Sequence, residues 1–299
     1  MTSLGLSAFG MTGPDLLELA ICADQLGFDT LWLGEHVFHP LGYGSDHPTD
    51  GTQAHSHHIG PIIDTATELT DPWAVHAAIA ATTSRIKLGT AVYLVPLRHP
   101  LMTARTTITV QELSGGRVLL GVGAGWLEEE FTALGVPYKT RISRTEECIE
   151  VLRSAWSGKP FIHNGKHFDI GPVHVHSRRV EVPVILGGNG PKALARAARL
   201  GDGWFTSGTP TFEGALELVT EITRLREECG TAGPFDCYVR IKATEETQIR
   251  KYHDHGMTDL VVWADAFWKG ATLEEKRARL GEAAANLGVR PGGYRSATV

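Results

Sequence analysis

This chain of 299 residues has little cysteine, no excess of positive charge and no long apolar run. A net charge of −6 gives no general attraction to nucleic acid or to anionic lipid. With no basic leader and no membrane-length apolar segment, we expect a cytoplasmic protein without nucleic-acid or membrane partners. The few cysteines are scattered without a Cys-x-x-Cys pair, so small buried thiols are expected rather than a disulfide framework or a zinc site: Cys22, Cys148, Cys229 and Cys237.

What is present is an ordinary globular composition, with 42% hydrophobic residues and a mean hydropathy of −0.08. Short apolar segments alternate with longer amphipathic ones. The predicted strands are Leu4–Phe9, Thr30–Gly34, Ile86–Val92, Val118–Val122, Pro183–Leu186, Gly203–Thr206, Cys237–Lys242 and Asp259–Trp263. The predicted helices are Pro14–Leu26, Pro72–Thr83, Pro100–Leu113, Arg141–Trp156, Phe212–Cys229, Glu245–His255 and Leu273–Leu287, with a short one after the glycine-rich turn described below.

Eight strands in alternation with helices indicate a parallel sheet, and the absence of a linker favours one closed (β/α)8 TIM barrel over residues 1–299 rather than an open doubly wound sheet. Two segments interrupt the rhythm. Residues 38–69, after the second strand, form a long polar insertion of the kind that serves as a lid or binding loop. Residues 161–177, before the fifth strand, contain Asn164-Gly165, which predicts a hairpin with a type I′ turn.

A glycine-rich turn follows the fifth strand, at Gly187-Gly-Asn-Gly190, and Pro191 then suits the first position of a helix. Backbone N–H groups at a helix N-terminus can hold an anion, and glycine lets a phosphate come close to the main chain. A phosphate site is one interpretation of these residues. The other is a tight turn that only connects a strand to a helix.

Glycine also recurs at the carboxyl ends of neighbouring strands, which form the functional face of such a barrel. The second strand ends in Gly34-Glu-His36, the third contains Gly89, the fourth ends in Gly121-Val-Gly-Ala-Gly125, and the sixth ends in Thr206-Ser-Gly208. The pattern predicts one flat ligand lying against main chain.

In the order and spacing of these motifs the chain resembles the bacterial luciferase-like flavin and deazaflavin oxidoreductases. The similarity covers nearly the whole chain, and Gly121-Val-Gly-Ala-Gly-Trp126, followed by Glu-Glu-Phe131 and Leu-Gly135, is most similar to the branch that uses the deazaflavin coenzyme F420. The resemblance implies an F420-dependent hydride transfer to or from a small organic substrate. The alternatives are an FMN monooxygenase fed by a separate reductase, a non-catalytic flavin-binding relative, and a phosphosugar isomerase barrel. The resemblance also implies a homodimer.

The resemblance further implies positions for the cofactor. A non-proline cis peptide at Ala91–Val92 would press on the central ring, although a normal strand interior is the alternative there. Gly123, Ala124 and Gly125 would lie beside the polar edge of the ring. The phosphate end would be held by Gly187, Gly188, Asn189 and Gly190, and Ser207 would also contact the cofactor.

His36 is the predicted acid–base or oxyanion residue, with Glu35 orienting or charging it. The alternative is that Glu35 pairs with a barrel arginine and His36 only packs on the ring edge. Trp126 and His39 are expected in the substrate pocket. Trp126 stands where some deazaflavin enzymes of the superfamily have a glutamate, which puts a proton donor at that position in doubt.

The insertion is rich in histidine, and two arginines stand near the third strand. A polar substrate loop is a better interpretation of the histidines than a metal site, because their spacing matches no established metal motif. The arginines are equally consistent with an anionic cofactor tail and with a structural role. The residues concerned are His47, His55, His57 and His58, with Asp46 and Asp50, and Arg98 and Arg105.

Overall fold

A computed structural model describes residues 2–42, 44, 63, 65–231 and 233–292. The strands within these residues are β1 Ser3–Ala8, β2 Thr30–Leu33, β3 Lys87–Thr90, β4 Val118–Val122, β5 Phe161–Asn164, β6 Asp169–Val173, β7 Val184–Gly187, β8 Gly203–Phe205, β9 Asp236–Arg240 and β10 Asp259–Trp263. The helices are α1 Gly13–Leu26, α2 Pro72–Thr82, α3 Pro100–Ser114, α4 Glu128–Ala133, α5 Arg141–Trp156, α6 Pro191–Leu200, α7 Phe212–Glu228, α8 Glu246–His253 and α9 Leu273–Asn286. Short 3₁₀ turns lie at Val95–Leu97, Tyr138–Thr140 and Ala264–Ala266.

Eight of these strands close into a barrel in the order β1-β10-β9-β8-β7-β4-β3-β2. Their pairings are parallel. Parallel neighbours need helical crossovers, which cover the outer face of the sheet, so strands such as β4 are buried along their whole length. The predicted (β/α)8 TIM barrel is confirmed.

Large side chains fill the barrel interior. The Trp32 ring lies 4.7 Å from that of Phe205 and 4.6 Å from that of Tyr238, in a cluster completed by Leu119, Ile185 and Val261. Trp32 also explains Gly89, since a Cβ there would come within 2.3 Å of the indole. A larger cluster lies between the strands and the helices and includes Trp73 and Trp156.

Gly121 also stands near the end of a predicted strand, and here the packing of the barrel wall requires glycine. A Cβ at this position would lie 1.6 Å from the carbonyl oxygen of Thr90 on the neighbouring strand. Atoms cannot approach so closely, and a backbone carbonyl in a paired strand has little freedom to move. Gly89 and Gly121 are therefore required by packing, and the expectation that they mark a ligand is wrong for these two.

Three local predictions need correction. The third strand ends at Thr90 rather than Val92, because the Ala91–Val92 peptide is cis and leaves the strand path. The prediction of a type I′ turn at Asn164-Gly165 is wrong, because neither residue has a positive φ. The Gly165 N–H instead donates to the Phe168 carbonyl at 2.9 Å, which closes a longer loop.

A helix carboxylate decides the conformation of that loop. Glu147 on α5 accepts the N–H of Phe168 at 2.8 Å and that of His167 at 3.0 Å. These two bonds tie the loop to the helix and satisfy N–H groups that a two-residue turn would have arranged differently.

The third correction concerns Cys229, which directly follows α7 and is exposed, whereas Cys22 and Cys148 are buried as expected.

Most of the 38–69 insertion, including Asp46, Asp50 and the four clustered histidines, lies outside the described residues. Across the part of the chain that is described, no histidine, cysteine or carboxylate side chains are grouped as a metal site requires. In the same residues, helices of the length and apolar character needed to cross a bilayer are not found.

Candidate active site

A cavity of about 320 Å³ opens at the carboxyl ends of the barrel strands. Phe205 belongs both to its lining and to the cluster that fills the barrel, so that cluster forms the floor. Every barrel strand contributes to the lining, through Ser7, Ala8 and Phe9, Gly34 to His36, Ala91, Val92 and Leu94, Gly123 to Trp126, Gly187 and Gly188, Ala193 and Arg196, Phe205 to Gly208, Arg240 and Trp263. The size and position are those of a small-molecule site in this architecture.

His36 stands at the end of β2 and is held by a residue that was not predicted as part of the site. Its Nδ1 lies 3.2 Å from Oε1 of Glu130, a fully buried carboxylate on α4. The same oxygen accepts the backbone N–H of Val37 at 2.6 Å. The rings of Phe9 and Trp126 meet the imidazole edge-on, at 5.9 and 5.7 Å between centroids. The imidazole is thus fixed in place with one nitrogen facing a carboxylate.

Glu35 has a different partner from the one predicted. Its carboxylate bonds to the Arg98 guanidinium at 2.5 Å and to the Leu94 N–H at 2.8 Å. Burial raises the pKa of Glu35 to about 7, against the opposing effect of Arg98 and the N–H group. The structure thus matches the alternative in which Glu35 pairs with an arginine: it lines the cavity, but the carboxylate beside His36 belongs to Glu130.

Neither of the two predicted arginines lines the cavity. Arg98 is committed to Glu35 and stacks over the Tyr93 ring at 4.5 Å. Arg105 is exposed on α3 and does not line the cavity. Of the two roles considered for these arginines, Arg98 therefore has the structural one.

The wall formed by β3 and β4 matches the predicted placement. Ala91 and Val92, with the cis peptide between them, line the cavity together with Gly123, Ala124 and Gly125. The Val92 side chain fits between the ends of β4 and β7, since a Cβ at Gly123 would lie 2.2 Å from its Cγ2. These residues present main chain and small groups to the cavity, as a flat ring requires.

The turn after β7 contributes to the site through fewer residues than predicted. Gly187 and Gly188 line the cavity, and Gly188 has a φ of +118°, which only glycine adopts readily. Asn189 and Gly190 do not line it. The Asn189 amide instead exchanges two hydrogen bonds of 2.8 Å with the backbone of Ser207, joining the ends of β7 and β8. Gly190 is the N-cap of α6.

Arg196 adds a positive charge beside the turn that follows β7. It follows the N-terminus of α6 by one and a half turns, is half-buried and lines the cavity together with Ala193. Burial lowers the pKa of Arg196. The combination of a helix N-terminus, a glycine backbone and a guanidinium is suited to a phosphate.

Among the predicted substrate residues, Trp126 lines the cavity and His39 does not. His39 uses Nε2 to bond the Thr67 carbonyl at 2.7 Å, which ties the start of the insertion to its end. Sequence reasoning missed Glu130, Arg196 and Arg240. Glu130 stands in a run of three glutamates that resembles an exposed helix face, and the two arginines have no motif of their own.

The model of the luciferase-like monooxygenase family matches residues 3–290. The chain belongs to this family. An uncharacterized protein of Mycobacterium tuberculosis is 30% identical over 250 residues, covering 82% of this chain and 83% of that protein. An F420-dependent glucose-6-phosphate dehydrogenase of Amycolatopsis mediterranei is 30% identical over 218 residues, covering 70% of this chain and 57% of the dehydrogenase.

Solved structures share the fold. An F420-dependent secondary alcohol dehydrogenase in complex with an F420–acetone adduct superposes with a TM-score of 0.73 at 19% identity, covering 96% of this chain and 99% of that one. A type II Baeyer–Villiger monooxygenase of Pseudomonas putida in complex with FMN gives 0.61 at 17% identity, covering 97% and 80%. The fold is thus shared with oxidoreductases of both cofactor types.

Proposed function

We propose that this protein is an F420-dependent oxidoreductase that exchanges a hydride with a small organic substrate. The observation that carries the proposal is the cavity itself. The ends of β3, β4 and β7 present main chain and small residues, and the lining also includes His36, which is backed by a buried carboxylate. A cofactor ring against these small residues leaves His36 for a substrate whose proton must move.

The residues present fit the cofactor. Gly187, Gly188 and Arg196 would form the anion site, and Ser207 also lines the cavity. Ala91, Val92 and the stretch from Gly123 to Gly125 provide the flat wall. When bound, a deazaflavin supplies or takes up a hydride and does not activate oxygen, because carbon replaces the ring nitrogen that makes reduced flavin reactive towards oxygen.

Proton transfer is assigned to His36. A hydride that leaves a carbon bearing a hydroxyl group must be accompanied by the hydroxyl proton, and the reverse reaction returns that proton. With Nδ1–H donated to Glu130, Nε2 of His36 is the nitrogen that can accept or return it. Phe9 and Trp126 hold the ring in the required orientation. Glu130 thus acts as a positioning residue.

An FMN-dependent monooxygenase, supplied with reduced flavin by a separate reductase, is the second candidate. It is favoured by Trp126, which stands where some deazaflavin enzymes have a glutamate and which makes this part of the cavity apolar. The two candidates differ in whether product formation consumes oxygen and incorporates an oxygen atom.

Cofactor titration tests the proposal directly. Purified protein is titrated with F420 and, separately, with FMN, following fluorescence and absorbance, and the bound cofactor is then reduced with and without oxygen. Tighter binding of F420 and hydride exchange that is indifferent to oxygen are the expected results. Binding of FMN alone, with oxygen uptake, would instead support the monooxygenase. Cofactor binding without any turnover across a panel of alcohols and carbonyl compounds would indicate a non-catalytic flavin-binding protein.

A further inference from the structure

The floor of the cavity contains a buried arginine. Arg240 is the last residue of β9, and only 5% of its surface is exposed. Its Nη2 donates to the Ser7 hydroxyl at 3.1 Å, and its guanidinium lies 4.2 Å from the centre of the Trp263 ring and 4.8 Å from that of Phe205. The guanidinium is thus sandwiched by aromatic rings at the base of the site.

This positive charge has no counter-ion within the described residues. No ion pair joins Arg240 to a described carboxylate, and its Nε is buried without an acceptor there. Desolvation lowers the pKa of Arg240 to about 9, so the side chain is still charged at neutral pH. A buried charge without a counter-ion is strongly unfavourable, and stacking on aromatic rings, with hydrogen bonds to the Ser7 hydroxyl and the Gly208 carbonyl, offsets only part of that penalty.

The phosphate site cannot supply the missing charge. It lies at the end of β7 and on α6, whereas Arg240 stands two strands further round the barrel, between the ends of β8 and β10. The planar guanidinium fork matches the two oxygens of a carboxylate. Trp263 and Phe205 beside it would contact an apolar remainder of the same molecule.

We infer that Arg240 binds a planar anionic oxygen group of the ligand, and that this group is a carboxylate of the substrate. The inference deepens the proposed function and rests on it in taking the part of the cavity away from the β3 and β4 wall as the substrate side. The other source of the same chemistry is a negatively charged oxygen on the cofactor ring.

Two small probes and two arginine variants separate these sources. Benzoate and the neutral benzamide are titrated calorimetrically into the wild type, Arg240→Gln and the matched control Arg196→Gln, and F420 and FMN are titrated into the same samples. We expect the wild type to prefer benzoate to benzamide. Arg240→Gln should weaken benzoate binding at least about tenfold, the effect of losing a charge-assisted hydrogen bond, and change cofactor affinity less than about twofold. Arg196→Gln should do the reverse.

Thermal unfolding of the ligand-free proteins distinguishes a binding arginine from a structural one. Replacing an uncompensated buried charge is expected to leave the melting temperature of Arg240→Met unchanged or higher, because the desolvation penalty disappears. A clear drop in the melting temperature would mean that Arg240 is structural and would overturn the inference. If Arg240→Gln does not fold, Arg240→Lys is used, and benzoate affinity between that of the wild type and that expected for Gln supports the inference.

Other outcomes are equally decisive. Loss of cofactor affinity in Arg240→Gln with unchanged benzoate affinity would assign the anion to the cofactor ring and overturn the substrate carboxylate. Equal affinity of the wild type for benzoate and benzamide would overturn it as well. If neither cofactor binds but benzoate binding depends on Arg240, the proposed function fails while the anion site stands.

Discussion

The pairing of His36 with Glu130 can be tested by replacing the carboxylate with an amide of the same size. In Glu130→Gln, the oxygen that accepts the Val37 N–H at 2.6 Å can still do so. What is lost is the negative charge that faces Nδ1 of His36 at 3.2 Å. Alanine is unsuitable, because it would leave both donors without an acceptor inside the protein, at about 1–3 kcal/mol each.

The magnitude follows from the difference between two kinds of hydrogen bond. A bond to a charged group contributes about 1.5–3 kcal/mol and a neutral bond about 0.5–1.5 kcal/mol, so the substitution removes roughly 1–2 kcal/mol from the interaction with His36. If that interaction stabilises the imidazole as it takes up the substrate proton, kcat falls about 5- to 30-fold, since 1.4 kcal/mol corresponds to a factor of ten.

Two measurements check this prediction. Turnover is followed as a function of pH at saturating cofactor, and cofactor affinity is followed by fluorescence. The nitrogen chemical shifts of the His36 ring, measured by NMR, report which ring nitrogen carries the proton without requiring a substrate. We expect Nδ1–H in the wild type, a smaller Nδ1–H population in Glu130→Gln, a lower kcat and a cofactor Kd within about twofold of wild type.

The control is Glu128→Gln, which removes the same charge from an exposed position of the same helix. The reasoning is refuted if Glu130→Gln and Glu128→Gln give the same tautomer, pH profile and kcat. Because paired residues act as a unit, Glu130→Gln should also have little further effect in a protein that already lacks His36. A full additional loss there would mean that Glu130 acts elsewhere.

Three further predictions concern binding, folding and pH. Gly188→Val should abolish cofactor binding, because the new side chain would stand in the cavity wall beside the proposed phosphate position, and the strained φ of +118° should lower the melting temperature without unfolding the barrel. Gly121→Ala should prevent folding or lower the melting temperature strongly, since the new Cβ would lie 1.6 Å from the Thr90 carbonyl oxygen. Burial lowers the pKa of His76 from 6.5 to about 4, so the folded state resists protonation and the protein should lose about 3 kcal/mol of stability as the pH falls from 6.5 to 4. His76→Phe should flatten that dependence, measured by denaturant unfolding across this pH range.

Each of these three has a matched control. Gly190→Val adds the same side chain where it meets no described atom within 4 Å, and equal loss of cofactor binding in both valine variants would contradict the role of Gly188. Gly171→Ala introduces a methyl group into open space and should fold normally. The exposed His174→Phe should leave the pH dependence of stability unchanged; a flattening as large as that of His76→Phe would refute the assignment to His76.

The sequence by itself determined the barrel and the position of its functional end. Alternating apolar strands and amphipathic helices reflect local patterning, and parallel strands must be covered on both faces, so the fold class follows. The start of α6 could also be predicted from the sequence, because Gly190 and Pro191 act through the neighbouring backbone. His36 stood out because it follows an apolar strand at the end where ligands bind.

Only the tertiary structure decided which side chains meet there. The carboxylate behind His36 comes from Glu130, 94 residues away, and Arg240 contacts Ser7 across 233 residues, so no local pattern could have paired them. The same holds for Asn164-Gly165, whose local preference for a tight turn is overridden by hydrogen bonds from α5. Burial and partner choice depend on what the closed barrel brings together, and the energies involved exceed local preferences of about 1 kcal/mol.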